Sequence, residues 1–179
     1  MNVFTKLLFW LDDRIMDHQN RRLKSDTSRF GKNFIEESLE YVDNMDGHDF
    51  EYWCADLISA CGFDNVEVTP SSNDNGVDII AYKNNRKCAI QCKRFSKSVG
   101  NTPVQEVFTG KSVYGCSVAI VMTNSYFTDG AIRAADATGV LLWDRETLKD
   151  LLQCMKNGET YDFNLDPTII HRIRIEWNG

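Results

Sequence analysis

Asp78, Gln91 and Lys93 bring a carboxylate, an amide and an ammonium into one short stretch of chain. The runs that carry them, Val77–Tyr82 and Lys87–Lys93, read as strands on either side of Asn84-Asn85. Asparagine tolerates the positive φ that tight hairpin turns demand, so this pair predicts a hairpin. With the turn there, Tyr82 opposes Lys87, Ile80 opposes Ala89 and Asp78 opposes Gln91. Directly opposed side chains share a face with Cβ atoms ~5 Å apart. Lys93, two residues beyond Gln91, joins them, and Cys88, Ile90 and Cys92 take the other face, as a core requires. A hard divalent cation takes oxygen ligands and keeps several waters, which Asp78, Gln91 and a backbone carbonyl could complete. Lys93 could stabilise charge developing on a phosphate or help deprotonate the attacking water. The register alone is equally compatible with structural roles, in which Asp78 closes a turn after Asn75-Gly76, Gln91 is a polar edge residue and Lys93 extends to solvent.

The elements that must position this trio can be traced along the chain. Residues 2–45 read as mostly helical, from Val3, Phe4, Leu7, Leu8 and Leu11 to Phe34, Ile35, Leu39 and Val42. Phe50, Trp53, Cys54, Leu57, Ile58 and Cys61 follow helical spacing, with Asp46 able to cap the start and Gly62 to end it. Glu51 lies beside that apolar stripe. A strand at Val66–Thr69 precedes the hairpin. Thr102-Pro103-Val104-Gln105 predicts a helix through Tyr114, with Thr102 as N-cap. Ser117–Thr123 and Val140–Trp143 are apolar strands around a helix capped by Thr128, and Asp144 caps a last helix through Met155. Strand, helix, strand implies a parallel pair covered on both faces. The alternation from Ile169 to Trp177 predicts a late strand.

Net charge is −6 over 179 residues, which by itself argues against a nucleic-acid partner. Its distribution argues the other way. Between Ile79 and Lys111 stand Lys83, Arg86, Lys87, Lys93, Arg94, Lys97 and Lys111, with Glu106 as the sole acid. A basic patch on an acidic body can hold a phosphate backbone, although lysines also guard exposed hairpin edges. The six cysteines lack CxxC spacing and a histidine cluster, so buried reduced thiols in a cytoplasmic protein are expected. No apolar run is long enough to span a bilayer, and Leu7–Leu11 lacks the flanks of a signal peptide. P-loop, HExxH and GxSxG motifs are absent. His48 is the one histidine expected near the site.

Phe50-Glu51, Gly62-Phe63, Asp74-Asn75-Gly76-Val77-Asp78-Ile79-Ile80 and Gln91-Cys92-Lys93 resemble, in order and spacing, the catalytic domain of the Mrr family. Mrr enzymes are type IV restriction endonucleases of the PD-(D/E)xK nuclease superfamily. Val104-Gln105-Glu106, Ile120–Asn124 and Gly139–Trp143 extend the likeness, which spans residues 46–154. It implies an α/β, restriction-endonuclease-like core whose mixed central sheet is flanked by helices. Around this nuclease domain (46–155) would lie a helical N-terminal arm (1–45) and a C-terminal extension with a strand (156–179).

Position by position, the resemblance makes Asp78 the metal-binding aspartate and Gln91 the glutamine that replaces a second acid. Lys93 becomes the catalytic lysine, Glu51 an assisting helix acid, and the Cys92 carbonyl a metal ligand. Asp74 matches a frequent acid of the preceding loop, and Asn75 stands where many relatives have glycine. Arg94, Lys97, Lys87, Lys111 and Gln105 are the expected DNA contacts. The implied activity is magnesium- or manganese-dependent DNA cleavage in defence against foreign DNA. Both arms are short for a separate recognition domain, so recognition is expected from a partner protein, or to be lacking. The arms themselves are candidates for self-association or partner docking. The alternatives are a catalytically silent DNA-binding or assembly subunit, and a structure-selective, junction-resolving nuclease.

Overall fold

A computed structural model describes residues 34–70, 75–159 and 161. Helices α1 (Phe34–Asp43) and α2 (Gly47–Ala60) precede a meander of β1 (Asp64–Val68), β2 (Ile79–Lys83) and β3 (Arg86–Lys93). Helix α3 (Thr102–Val113), β4 (Val118–Thr123), α4 (Asp129–Thr138), β5 (Leu141–Trp143) and α5 (Arg145–Asn157) complete the order. The five strands form one sheet in sequence order. β1, β2 and β3 pair antiparallel, whereas β3, β4 and β5 pair parallel. The expected mixed sheet flanked by helices is therefore present. The 2–33 part of the expected helical arm, Asp74 and the expected strand at 169–177 lie outside the described residues.

Local chemistry sets the element ends. The side chains of Asp46, Thr128 and Asp144 each accept a backbone N–H at the start of α2, α4 and α5, as the sequence indicates. Asn84 and Asn85 adopt φ of 51° and 60°, the left-handed turn expected for a tight hairpin. One expectation needs correction. Asn101, not Thr102, holds the N-cap position of α3, and it makes no side-chain capping bond. The helix begins one residue earlier because Pro103, with its fixed φ and no N–H to satisfy, fits the first turn wherever the cap falls.

Two cores sandwich the sheet. On one face Phe50, Trp53, Leu57 and Ile58 of α2 and Leu148 and Leu151 of α5 pack on Ile79, Ile90, Ile120 and Met122. On the other, Val104 and Val107 of α3 and Ala131 and Ala135 of α4 pack on Ala89, Ala119 and Val121. Every residue of β4 is buried, as expected of a parallel strand covered on both faces. All six cysteines are free and buried. Among the described residues no helix is long and apolar enough to cross a membrane.

Candidate active site

The hairpin register is the one the turn implies: Tyr82 pairs with Lys87 and Ile80 with Ala89, and the ladder closes at Ile79 and Ile90. Asp78 lies one residue beyond its end. It remains tied on both sides, donating its N–H to the Ile90 carbonyl at 2.9 Å and accepting from Thr69 N at 2.9 Å. Its carboxylate reaches across to β3, where Oδ2 accepts the Cys92 N–H at 2.6 Å. A carboxylate only 8% exposed needs such a donor. This bond aims the Asp78 side chain at the strand that carries Gln91 and Lys93.

Those three residues line one cleft of about 560 Å³ with Asn75, Gly76, Gln105 and Glu106. Gln91 is 1% exposed, and its Nε2 donates to Glu106 Oε2 at 2.8 Å. The amide oxygen, Oε1, is buried and, among the described residues, accepts no hydrogen bond. Lys93 is half-buried and, among the described residues, makes no ion pair. Glu106 is the residue that sequence reasoning missed. Its signal was its position as the sole acid within the basic stretch, on a helix start already placed.

Close backbone approach brings α3 to the hairpin. Gly76 has φ of 72°, and a Cβ there would meet Glu106 Cβ at 2.6 Å and Gln91 Nε2 at 3.2 Å. One turn further along α3, a Cβ at Gly110 would collide with Val77 and the Asn75 carbonyl. Glycine is required at both positions so that the helix can press on the loop before Asp78.

The other expected residues lie elsewhere. Glu51, on α2, does not line the cleft, and its Oε2 lies 3.3 Å from His48 Nδ1. Its charge, like that of Asp78, reaches the thiols of Cys54 and Cys92, which touch each other. Burial, reinforced by those carboxylates, pushes both thiols up. Lys87 Nζ donates to the Tyr114 carbonyl at 2.8 Å, six residues back along β3 from Lys93, or ~20 Å at ~3.3 Å per residue. Lys111 lies in the last turn of α3 with its Nζ 5.7 Å from the Phe108 ring. Arg94 Nη1 donates to the Asp43 carbonyl at 3.1 Å. Lys97 is exposed beside a second depression, where Arg145 forks onto the Asp43 carboxylate at 2.8 and 2.9 Å. Of the expected DNA contacts, only Gln105 lines the first cleft.

Among the described residues no three His, Cys, Asp or Glu side chains converge as metal ligands. The cleft instead gathers a carboxylate, an amide oxygen lacking a partner, and a second carboxylate behind that amide. An unmade hydrogen bond on a buried acceptor costs about 1–3 kcal/mol. A hard cation relieves that cost, and an all-oxygen set suits magnesium or manganese better than zinc. The residues fit such an ion.

Comparison with known proteins bears on the family and the fold. The restriction endonuclease family represented by the Mrr catalytic domain matches residues 42–152. No curated protein matches the chain. Among solved structures, the restriction endonuclease MspJI in complex with a 27-mer oligonucleotide is 15% identical, with a TM-score of 0.54 over 85% of this chain and 38% of its own. The DNA modification-dependent restriction endonuclease AspBHI is 16% identical, with a TM-score of 0.52 over 84% of this chain and 41% of its own. The small subunit of the heterodimeric restriction endonuclease R.BspD6I is 14% identical, with a TM-score of 0.50 over 80% of this chain and 87% of its own. The chain thus spans well under half of the first two enzymes and most of the third. At these identities the likeness is one of fold.

Proposed function

Because the chain belongs to the restriction endonuclease family that matches residues 42–152, we propose that it is a metal-dependent endonuclease hydrolysing phosphodiester bonds in DNA. The observation that carries this reading is the cleft in which Asp78, Lys93 and a buried amide with no partner for its oxygen converge. Asp78, Gln91 and the Cys92 carbonyl would hold magnesium or manganese. When bound, that ion supplies Lewis-acid polarisation of the scissile phosphate. Lys93 sets its ammonium where negative charge builds on the phosphoryl oxygens as water attacks phosphorus in line and the bond to the 3′ oxygen breaks. Glu51, outside the cleft, acts on the ion through its charge, which reaches Cys92 from the α2 side. Gln105 on the cleft rim, with Arg94 and Lys97 beyond the end of β3, contacts the DNA backbone. Lys87 and Lys111, at the far end of the hairpin and of α3, meet the duplex further along.

The cellular role we propose with it is restriction of foreign DNA in the cytoplasm. A partner protein or a second copy of the chain supplies recognition, a reading supported by the likeness to the small subunit of a heterodimeric enzyme. Plasmid, modified, branched and RNA substrates incubated with magnesium test the proposal. Cleavage of DNA by the wild type, abolished in both Asp78→Ala and Lys93→Ala, is the expected outcome. Binding without cutting on every substrate would instead identify a silent subunit, and selective cutting of branched DNA a junction-resolving enzyme.

A further inference from the structure

An amide and a carboxylate differ in one respect that matters in this cleft. An ionised carboxylate only accepts hydrogen bonds, whereas a glutamine amide has a donating and an accepting end. Glu106 Oε2 lies 2.8 Å from Gln91 Nε2, so the donating end of Gln91 is the one committed to it. The accepting end is then the one left over, and Oε1 is buried with no hydrogen-bond partner. Without Glu106 the amide could turn over and offer N–H groups where an oxygen is needed.

We infer that Glu106 is a positioning residue, whose carboxylate locks the Gln91 amide with Oε1 directed to the divalent cation. The inference rests on the cleft being the nuclease site proposed above. It also accounts for the neutral residue at position 91, since a carboxylate there would face Glu106 as a like charge at hydrogen-bond distance. The anchoring is built into the backbone. Gly76 and Gly110 let α3 approach so closely that a single added Cβ at Gly76 would strike Glu106 and crowd Gln91. Glu106 is exposed on α3 and belongs to neither core, so replacing it leaves both intact.

Binding of Mn²⁺ to the DNA-free protein, followed by electron paramagnetic resonance, tests this independently of cleavage. Glu106→Ala should weaken Mn²⁺ binding about tenfold to a hundredfold, as loss of a residue that orients a ligand does, whereas Glu106→Gln, whose amide oxygen can still accept from Gln91 Nε2, should weaken it less. The double variant Q91E/E106Q exchanges donor and acceptor across the same bond and keeps the net charge, so it should recover the affinity. In ¹⁵N-resolved NMR spectra, the Gln91 side-chain amide of the wild type should show the slowed exchange of a bonded group, and E106A should remove it. Unchanged Mn²⁺ affinity in E106A would overturn the inference while leaving the nuclease assignment intact. So would a loss that Q91E/E106Q fails to repair. If the wild type binds no Mn²⁺, the metal-dependent reading and this inference fall together.

Discussion

Gln91 shows how much one side chain is asked to do. It is neutral, almost wholly buried, bonded through its nitrogen and unpartnered at its oxygen. A glutamine in place of a second acid leaves less negative charge to hold a cation, so half-saturation by magnesium should fall at a higher concentration than in a two-acid site. Titrating magnesium in the cleavage assay against a two-acid nuclease of the same fold checks this. Asp78, Gln91 and Lys93 were legible in the sequence because a two-residue turn fixes their register within a few residues of chain. Glu106 was not, since its approach depends on α3 folding back over the hairpin at Gly76 and Gly110. The thiols offer a second test at this scale. Burial pushes Cys61 and Cys88 up to about 12 and raises Cys54 and Cys92 as well. Alkylation at pH 8 followed by mass spectrometry should leave these four unmodified until denaturant is added, because thiols held so far above the solution pH supply little thiolate.

Among the elements, caps and turns could be read from single residues, whereas the distribution of charge could not. Asp46, Thr128 and Asp144 cap their helices through their own side chains. The basic stretch looked like one patch in sequence, but a strand spreads its residues along a line. Lys87 stands at one end of β3 bonded to Tyr114, and Lys93 at the other end enters the cleft. Lys83 is likewise committed, with Nζ donating to the Gly62 carbonyl at 2.7 Å. Periodicity gives no warning of such separations, because it reports faces and not distances. The contact of α3 with the loop before Asp78 gives a test at this scale. Gly110→Ala should destabilise the fold by about 1–3 kcal/mol through overpacking against Val77 and Asn75, measured by urea denaturation. It should also lower activity, since the same shift moves Glu106 away from Gln91.

Across the whole molecule, one polar junction ties distant segments together. Arg145 at the start of α5 clamps the Asp43 carboxylate at the end of α1, and Asn124, just after β4, donates to it at 2.8 Å. Arg94, just after β3, donates to the carbonyl of the same aspartate. Burial alone would raise the Asp43 carboxyl, but the hydrogen bonds from Arg145 and Asn124 and the nearby arginine charges outweigh it and hold it below its ordinary 3.8. A carboxyl depressed on folding stabilises the native state above its unfolded value, and that contribution disappears as pH falls through the lowered native value. Denaturation series between neutral pH and pH 2.5 should therefore show stability falling below about pH 4, and Asp43→Asn should flatten that slope. This junction joins residues that no local pattern relates.

The hairpin turn also bears on the order of events during folding. Asp78, Gln91 and Lys93 come together once the chain reverses at Asn84 and Asn85, a contact that closes a short loop. Hairpins form in about 1–10 μs. The parallel pairing of β3 with β4 must wait for α3 to cross over, a longer closure with a larger entropic cost. The three side chains are thus arranged on a kinetically early substructure, while the carboxylate that orients one of them arrives with a later one. Conservative substitutions in β2 and β3 should slow refolding, whereas those in α3 should mainly speed unfolding.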